Sequence, residues 1–237
     1  MSCHILSAYD EELKFLSQRI VEMGILAREM VDSSVRAFIE GDTVLAHKII
    51  DNDIVLDQLE RDIGDKAIIT IARRQPMAAD LREIVGSIRI AADLERIGDL
   101  AKNTAKRVFA LQMLGVPRKL AWTIEPLASL SLEQLTEIVD VYVSRSTEKA
   151  QSICNRDGEL NAMHTSLFRE LLTYMMEDPR NITLCTHLLF CSKNIERIGD
   201  HVTNIAETIH YMATGVQPQI ERRRMEYSAD YFDKDSR

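Results

Sequence analysis

The chain has 237 residues, a formal net charge of −8 at pH 7, and a composition with 46% hydrophobic and 28% charged residues. This length suits one large domain or two of average size, and the composition is that of a folded globular protein. The acidic balance argues against sequence-independent binding of nucleic acid, which depends on Lys and Arg side chains that neutralise phosphates. Only nine Gly and five Pro are available for turns, so long helices are expected.

The N-terminal stretch MSCHILSAYDEELK carries acidic residues where a secretory signal would need an apolar run. Elsewhere, no uncharged stretch approaches the ~18 residues that cross a membrane. We therefore expect a cytoplasmic protein without direct membrane insertion. The cysteines have no CxxC spacing, so neither a zinc site nor a disulfide framework is indicated. They are Cys3, Cys154, Cys185 and Cys191.

Three helices are predicted in the first half of the chain. Apolar residues spaced by three and four indicate a first helix that ends near Gly41. Asp42 is predicted to cap a second helix, which continues to Arg74, just before a proline. A third helix is predicted from residue 77 to about residue 114, where a glycine and a proline follow.

The second half repeats this plan with helices predicted over about 124–152, 155–177 and 179–213. Strand signals are missing, because nowhere do β-branched residues alternate with polar ones between turn clusters. We therefore predict an all-α protein made of two tandem three-helix bundles related by internal duplication.

The predicted domain organisation follows from this duplication. The first bundle is assigned to residues 1–116 and the second to residues 117–215. The remaining residues, 216–237, mix charge clusters with no sustained apolar face and are predicted to form a flexible tail.

A charged decapeptide occurs twice in the chain. LERIGDLAKN, from Leu94, returns as IERIGDHVTN, from Ile195, 101 residues later. Glu95 and Asp99 are four residues apart, so they share one helix face and repel each other as bare charges. They also lie in the arc of the apolar residues of that helix, so they are expected to point toward a neighbouring helix.

The preceding helix of each half carries a second polar pair with the same spacing. The two pairs of each half lie nearly the same number of residues from the turn between them, so antiparallel helices would bring them level. The first cluster is predicted to contain Asp53, Asp57, Glu95 and Asp99, and the second cluster Asp157, Asn161, Glu196 and Asp200.

Clusters of oxygen ligands suit hard metal cations. Without a cation, facing carboxylates must raise their pKa values or find Arg or Lys partners. Gly98 and Gly199 remove a side chain beside the acids, which is consistent with the close approach of a helix or an ion. Asn103 and Asn204, one helical turn further on, could add amide oxygens. The alternative is ordinary salt bridges on a solvated face, with Arg61, Arg82, Arg89, Arg96 and Arg197 as partners.

The ERIGD motif in both halves, DIVLD and DGELN on the preceding helices, and the doubled three-helix plan resemble the PhoU family of phosphate-uptake regulators. The resemblance covers roughly residues 10–213. It implies metal ions on the acidic motifs, as iron clusters, zinc or magnesium, held by the residues of the first and second clusters. Asn161 stands where an Asp would complete the fourth pair, so the second cluster is expected to bind less tightly or to hold fewer ions.

The resemblance also implies a function. It is that of a homodimeric, non-enzymatic adaptor that represses phosphate-starvation signalling when phosphate is plentiful. The implied partners are the ATPase subunit of an ABC-type phosphate transporter and a membrane sensor histidine kinase.

Two other functions are compatible with the sequence. A ferritin-like di-iron enzyme combines Glu residues with two Glu-x-x-His motifs, but only one such tetrad occurs, from Glu207 to His210. The second of these alternatives is a metal-free module whose acidic faces bind a basic helix of a partner protein. No hydrolase nucleophile arrangement, P-loop or dinucleotide fingerprint is found, so an enzyme is not predicted.

Overall fold

The structure, a computed structural model, describes residues 2–113 and 120–218, and the side chains of residues 2–7 and of Asp157 lie outside its described part. It contains seven α-helices within these ranges: α1 (Ser2–Glu40), α2 (Thr43–Arg74), α3 (Ala78–Met113), α4 (Glu125–Ser144), α5 (Thr147–Asn155), α6 (Asp157–Glu177) and α7 (Ile182–Thr214). Short 3₁₀ helices precede α4 and α7, and the described residues contain no strand. The predicted all-α fold is therefore confirmed.

The first half forms the predicted bundle of α1, α2 and α3, which pack on one another along their lengths. Asp42 caps α2 as predicted, because its carboxylate accepts hydrogen bonds from the backbone N–H groups of Val44 and Leu45, at 2.9 and 3.0 Å. Gln75 takes a left-handed conformation, with φ of 49°, and so ends α2 at the predicted residue.

In the second half, the helices predicted over 155–177 and 179–213 are found as α6 and α7, but the limits predicted for the first helix are wrong. Instead of one helix over 124–152, α4 ends at Ser144, because Arg145 adopts a left-handed conformation with φ of 54°. Ser146 then caps α5, and its hydroxyl accepts a hydrogen bond from the backbone N–H of Lys149 at 3.3 Å. Together α5 and α6 take the place of the continuous α2, so the internal duplication itself is confirmed.

Arg156 holds the junction between α5 and α6. Its guanidinium contacts carboxylates of two helices, at 3.1 to 3.2 Å from Glu133 and Glu137 of α4 and from Glu159 of α6. The junction is therefore tied to α4 by charge-assisted hydrogen bonds as well as by packing.

The two halves meet mainly through α3 and α7, which run antiparallel. Asp93 lies five residues before Gly98, and it accepts a hydrogen bond from Asn204, five residues after Gly199. Two more contacts keep the same register, Arg107 over the ring of Phe190 and Asn194 to Thr104. The two ERIGD copies therefore lie at the same level, side by side at the centre of the molecule.

Within the two described ranges, no helix combines the length and the apolar character that crossing a membrane requires. Of the predicted tail, residues 216–218 are described, and residues 219–237 lie outside the described residues.

Candidate functional site

Glycine–leucine contacts set the level at which the helices of each half meet. A Cβ atom at Gly98 would overlap Cδ2 of Leu56, which is fully buried. In the second half, a Cβ atom at Gly199 would overlap Cδ1 of Leu160. The sequence predicted that a helix or an ion comes close to each glycine, and the structure shows a helix at both places: α2 beside Gly98 and α6 beside Gly199. Because each leucine directly precedes a cluster residue in the chain, these contacts fix the positions of the polar pairs on α2 and α6.

The first cluster is assembled between α2 and α3. Asp53 is 5% exposed, and its three companions are half-buried. Burial raises the pKa of Asp53 against the opposing effect of Lys102, and the charges of Asp57 and Asp99 add to the rise. Burial also raises the pKa of Glu95, with the charge of Asp99 as the next largest cause. Asp57 and Asp99 are thus close enough to Asp53 and Glu95 to raise the pKa values of both.

Lys102 reaches into this cluster. Its Nζ lies 2.5 Å from Oδ2 of Asp53 on α2 and 2.6 Å from Oδ1 of Asp99 on α3, and its side chain is 19% exposed. Burial lowers the pKa of Lys102, but the two carboxylates outweigh it and raise that pKa above its usual value. Burial acts to raise the pKa of Asp99 as well, but the hydrogen bond and charge of Lys102, together with the charge of Arg96, outweigh burial and lower that pKa.

The sequence analysis did not include Lys102 among the site residues. Its spacing of three residues from Asp99 and seven from Glu95 places it on the same face of α3, and this spacing could have identified it.

Two of the arginines expected as alternative partners contact the first cluster. Arg96 approaches Asp99 and Glu95 at 3.2 and 3.4 Å, and Arg61 approaches Asp57 at 3.9 Å. Both arginine side chains are more than half exposed, at 62% and 64%. Exposed pairs of this kind contribute only about 0–1 kcal/mol, so Lys102 is the main counter-charge of the buried carboxylates.

The other three arginines lie elsewhere: Arg82 lies beside Gly215, Arg89 lines a polar cavity of about 370 Å³ between α3 and α7, and Arg197 is exposed.

The second cluster differs from the first in its composition and its exposure. Glu196 and Asn161 are half-buried, Asp200 is exposed, and the side chain of Asp157 lies outside the described residues. Glu196 forms an ion pair with Lys193, whose side chain is 53% exposed. Burial lowers the pKa of His164, and the nearby charge of Glu196 partly offsets this effect.

The asparagines expected to add amide oxygens do not join the clusters in the same way. Asn103 is exposed, and Asn204 donates its amide N–H to Asp93 between the two halves.

The donor chemistry of the first cluster fits a hard cation. It combines several carboxylate oxygens, one of them on the buried Asp53, with an ammonium group in the position of a bridging positive ion. However, Asp53 and Asp99 contact the ammonium of Lys102. Among the described residues, no three His, Cys, Asp or Glu side chains are placed to hold a metal together. A metal in the first cluster therefore requires Lys102 to move.

The histidines occupy positions away from the first cluster. His210 of the single Glu-x-x-His tetrad is near the end of α7, where its Nδ1 lies 3.2 Å from the carbonyl oxygen of Val216. Three others make contacts within the fold: His47 packs on Phe109, His187 on Arg107 and His201 on Asp93. This placement does not resemble the histidine pair of a ferritin-like site.

Comparison with known proteins gives a consistent result for both halves. A family model described as the PhoU domain matches residues 20–108 and again residues 124–209. A protein of Rhizobium meliloti named phosphate-specific transport system accessory protein PhoU homolog is 70% identical over 219 residues, which is 92% of each chain. A protein of the same name from Caulobacter vibrioides is 41% identical over 226 residues, which cover 95% of this chain and 98% of the relative.

Solved structures agree with this result. The crystal structure of PhoU from Pseudomonas aeruginosa matches with a TM-score of 0.83 and 33% identity, over 88% of this chain and 100% of that one. The phosphate transport system regulatory protein PhoU from Streptococcus pneumoniae matches with a TM-score of 0.80 and 26% identity, over 90% of this chain and 100% of that one.

Proposed function

Because this chain belongs to the PhoU family, we propose that it is a cytoplasmic regulator of phosphate uptake that represses phosphate-starvation signalling when phosphate is plentiful. The observation that carries the proposal is the 70% identity, along 92% of the chain, to a relative named as an accessory protein of a phosphate-specific transport system. Members of this family are regulatory accessory proteins rather than enzymes, which agrees with the prediction that the chain is not an enzyme.

Its proposed partners are the ATPase subunit of an ABC-type phosphate transporter and a sensor histidine kinase. The protein acts as an adaptor between them and works as a homodimer. The support for this part is the family membership, together with a surface rich in acidic side chains, since the formal net charge is −8. Such a surface favours partners with basic faces.

The two clusters hold hard metal ions, with iron, zinc and magnesium as the candidates. The ligands are Asp53, Asp57, Glu95 and Asp99 in the first cluster and Asp157, Asn161, Glu196 and Asp200 in the second. The support is chemical, because carboxylate and amide oxygens prefer hard cations.

A transcriptional reporter for phosphate starvation tests the regulatory function. The reporter is compared in high phosphate between parent cells, cells that lack the protein and cells to which the gene is restored. We expect high expression only in the cells that lack the protein. Equal, low expression in all three would refute the regulatory assignment.

Metal analysis tests the role of the clusters. The full chain is purified without added ions, and its metal content is compared with that of the variants Glu95→Ala and Glu196→Ala. The matched control is Glu29→Ala, which removes a carboxylate from an exposed position of α1. We expect both cluster variants, but not the control, to lose metal. If the cluster variants lose transporter or kinase binding at unchanged metal content, the clusters are docking surfaces instead.

A further inference from the structure

A polar cavity of about 370 Å³ lies between α3 and α7, where the two halves meet. A volume of this size is typical of small-molecule sites, which place a few converging polar groups around the ligand. Two arginines, two carboxylates, an amide and a hydroxyl line it: Arg89, Arg96, Asp93, Glu207, Asn204 and Thr208. None of the predicted cluster residues is among the described residues of this lining, so the cavity is separate from both clusters.

Arg89 directs an uncompensated guanidinium to this cavity. Among the residues that the structure describes, none forms an ion pair with Arg89, although Asp93 stands four residues further along the same helix face. Asp93 is engaged across the contact of the halves instead, because Nδ1 of His201 and the amide nitrogen of Asn204 lie 2.9 and 3.4 Å from its Oδ1. The N–H donors of Arg89 are therefore available to a ligand.

Arg96 brings a second guanidinium to the cavity, two helical turns after Arg89 on the same face of α3. It also approaches Asp99 and Glu95 of the first cluster at 3.2 and 3.4 Å, with 62% of its side chain exposed. Exposed pairs of this kind contribute little, so Arg96 can turn toward an anion in the cavity at low cost. Two guanidiniums that converge in this way suit an oxyanion with several acceptor oxygens.

The internal duplication shows why a cavity forms at this place. The positions of Arg89 and Thr208 recur on the other side of the α3–α7 contact as Phe190 and Arg107, with the two helices exchanged. There the guanidinium of Arg107 lies 4.1 Å from the centre of the Phe190 ring, and the two side chains pack on each other. Thr208 is too short to cover Arg89 in the same way, so space remains beside the Arg89 guanidinium.

The carboxylates of the lining select among oxyanions. A carboxylate accepts hydrogen bonds and repels anions, so Asp93 and Glu207 disfavour an oxyanion without a proton, such as sulfate. Inorganic phosphate keeps at least one proton near neutral pH. Its P–OH group can donate to a carboxylate while its other oxygens accept hydrogen bonds from the arginines. The mixture of arginines and carboxylates is therefore more complementary to phosphate than to anions in general.

We propose that this cavity is a binding site for inorganic phosphate, in which Arg89 and Arg96 bind the phosphate oxygens and Asp93 accepts a hydrogen bond from the P–OH group. A bound phosphate draws Arg96 away from Asp99, which connects the cavity to the first ERIGD copy. The inference deepens the proposed regulation by phosphate and rests on that function for its biological role, whereas the binding itself is argued from the cavity.

Isothermal titration calorimetry of the purified full chain tests the proposal. Sodium phosphate, sodium sulfate and AMP are titrated in separate runs at pH 7, in a buffer that contains none of them. The first variant is Arg89→Met, at an exposed position. The second is Asp93→Asn/Glu207→Gln, which removes both negative charges with little change in shape. The matched control is Arg197→Met, because Arg197 is exposed and stands in the second ERIGD copy where Arg96 stands in the first.

We expect the wild type and Arg197→Met to bind one phosphate per chain. Sulfate, and AMP, whose phosphate is largely deprotonated at pH 7, should bind roughly tenfold more weakly or worse. Arg89→Met should also bind phosphate roughly tenfold more weakly, because it loses a charge-assisted hydrogen bond. The double variant should bind sulfate as tightly as phosphate. The proposal is overturned if the wild type binds no phosphate, prefers sulfate or AMP, or binds phosphate no better than Arg89→Met does.

The starvation reporter separates this inference from the proposed function. If the purified protein binds phosphate as expected but its loss leaves the reporter unchanged, the regulatory function is refuted and the site stands. If the protein controls the reporter and Arg89→Met binds phosphate like the wild type, only the site is refuted.

Discussion

Replacing Gly98 with alanine tests the contact that sets the level of the first cluster. Alanine is favoured over glycine inside a helix by roughly 1 kcal/mol. The new Cβ, however, would overlap Cδ2 of Leu56 and lie 3.6 Å from Cε of Met30. Overpacking of a filled core costs about 1–3 kcal/mol. Leu56 and Met30 are both fully buried, so the Leu56 side chain must shift within the core, and the steric cost should outweigh the gain.

We therefore expect Gly98→Ala to lower the free energy of unfolding by roughly 1 kcal/mol, as measured by urea denaturation followed by circular dichroism. Gly64→Ala, on α2, is the matched control, because nothing lies within 4 Å of its added Cβ. It should raise the free energy of unfolding by about 0.5–1 kcal/mol.

A double variant isolates the contact itself. Leu56→Ala alone leaves a cavity and should cost about 2–5 kcal/mol. In that background the clash is gone, so adding Gly98→Ala should be neutral or stabilising. If Gly98→Ala stabilises the wild-type protein as much as Gly64→Ala does, the glycine is not required by the packing of Leu56, and the reasoning is wrong.

Three further predictions concern stability and reactivity. The hydrogen bond from Arg74 lowers the pKa of Glu12, so the stabilisation by this pair is present above the ordinary pKa and is lost as the pH falls through the lowered value. Glu12→Gln should therefore cost about 1–2 kcal/mol in urea denaturation at pH 7, and less as the pH is lowered below the ordinary pKa. Burial raises the pKa of Cys191 to about 12, so mass spectrometry should find it alkylated by iodoacetamide only after unfolding, and rapid alkylation of the native protein would contradict its burial. Asp42→Ala should cost about 1 kcal/mol of unfolding free energy and Ser146→Ala less, because Asp42 accepts two short hydrogen bonds and Ser146 one long one; a larger loss for Ser146 would contradict the cap geometry.

Features that follow from helical geometry and from local backbone chemistry could be predicted from the sequence. The cap at Asp42 and the end of α2 at Arg74 follow from local backbone chemistry. The convergence of Asp53 with Asp99 follows from helical rise and the position of one turn, and it agrees with the contribution of the Asp99 charge to the raised pKa of Asp53.

Features that depend on contacts between elements were harder to predict. The break after Ser144 was missed because the apolar spacing continues through it, while the left-handed Arg145 and the long hydrogen bond at Ser146 are weak signals. The partner of Gly98 could not be named, since either an ion or a helix would explain the missing side chain. Lys102 was missed because a lysine on a helix is more often solvated than buried, and only the packing of α2 on α3 reveals its position.

The duplicated halves share their framework and differ in their charges. In both, a leucine packs on the glycine of ERIGD, and both motifs lie at one level where α3 crosses α7. The differences fall on cluster positions: the continuous α2 carries Asp57 where the interrupted α5–α6 segment carries Asn161. Because the shared contacts fix the helices and not the charged groups, one framework can hold the Lys102 ammonium between two carboxylates in one half and an ion pair of Glu196 with the exposed Lys193 in the other.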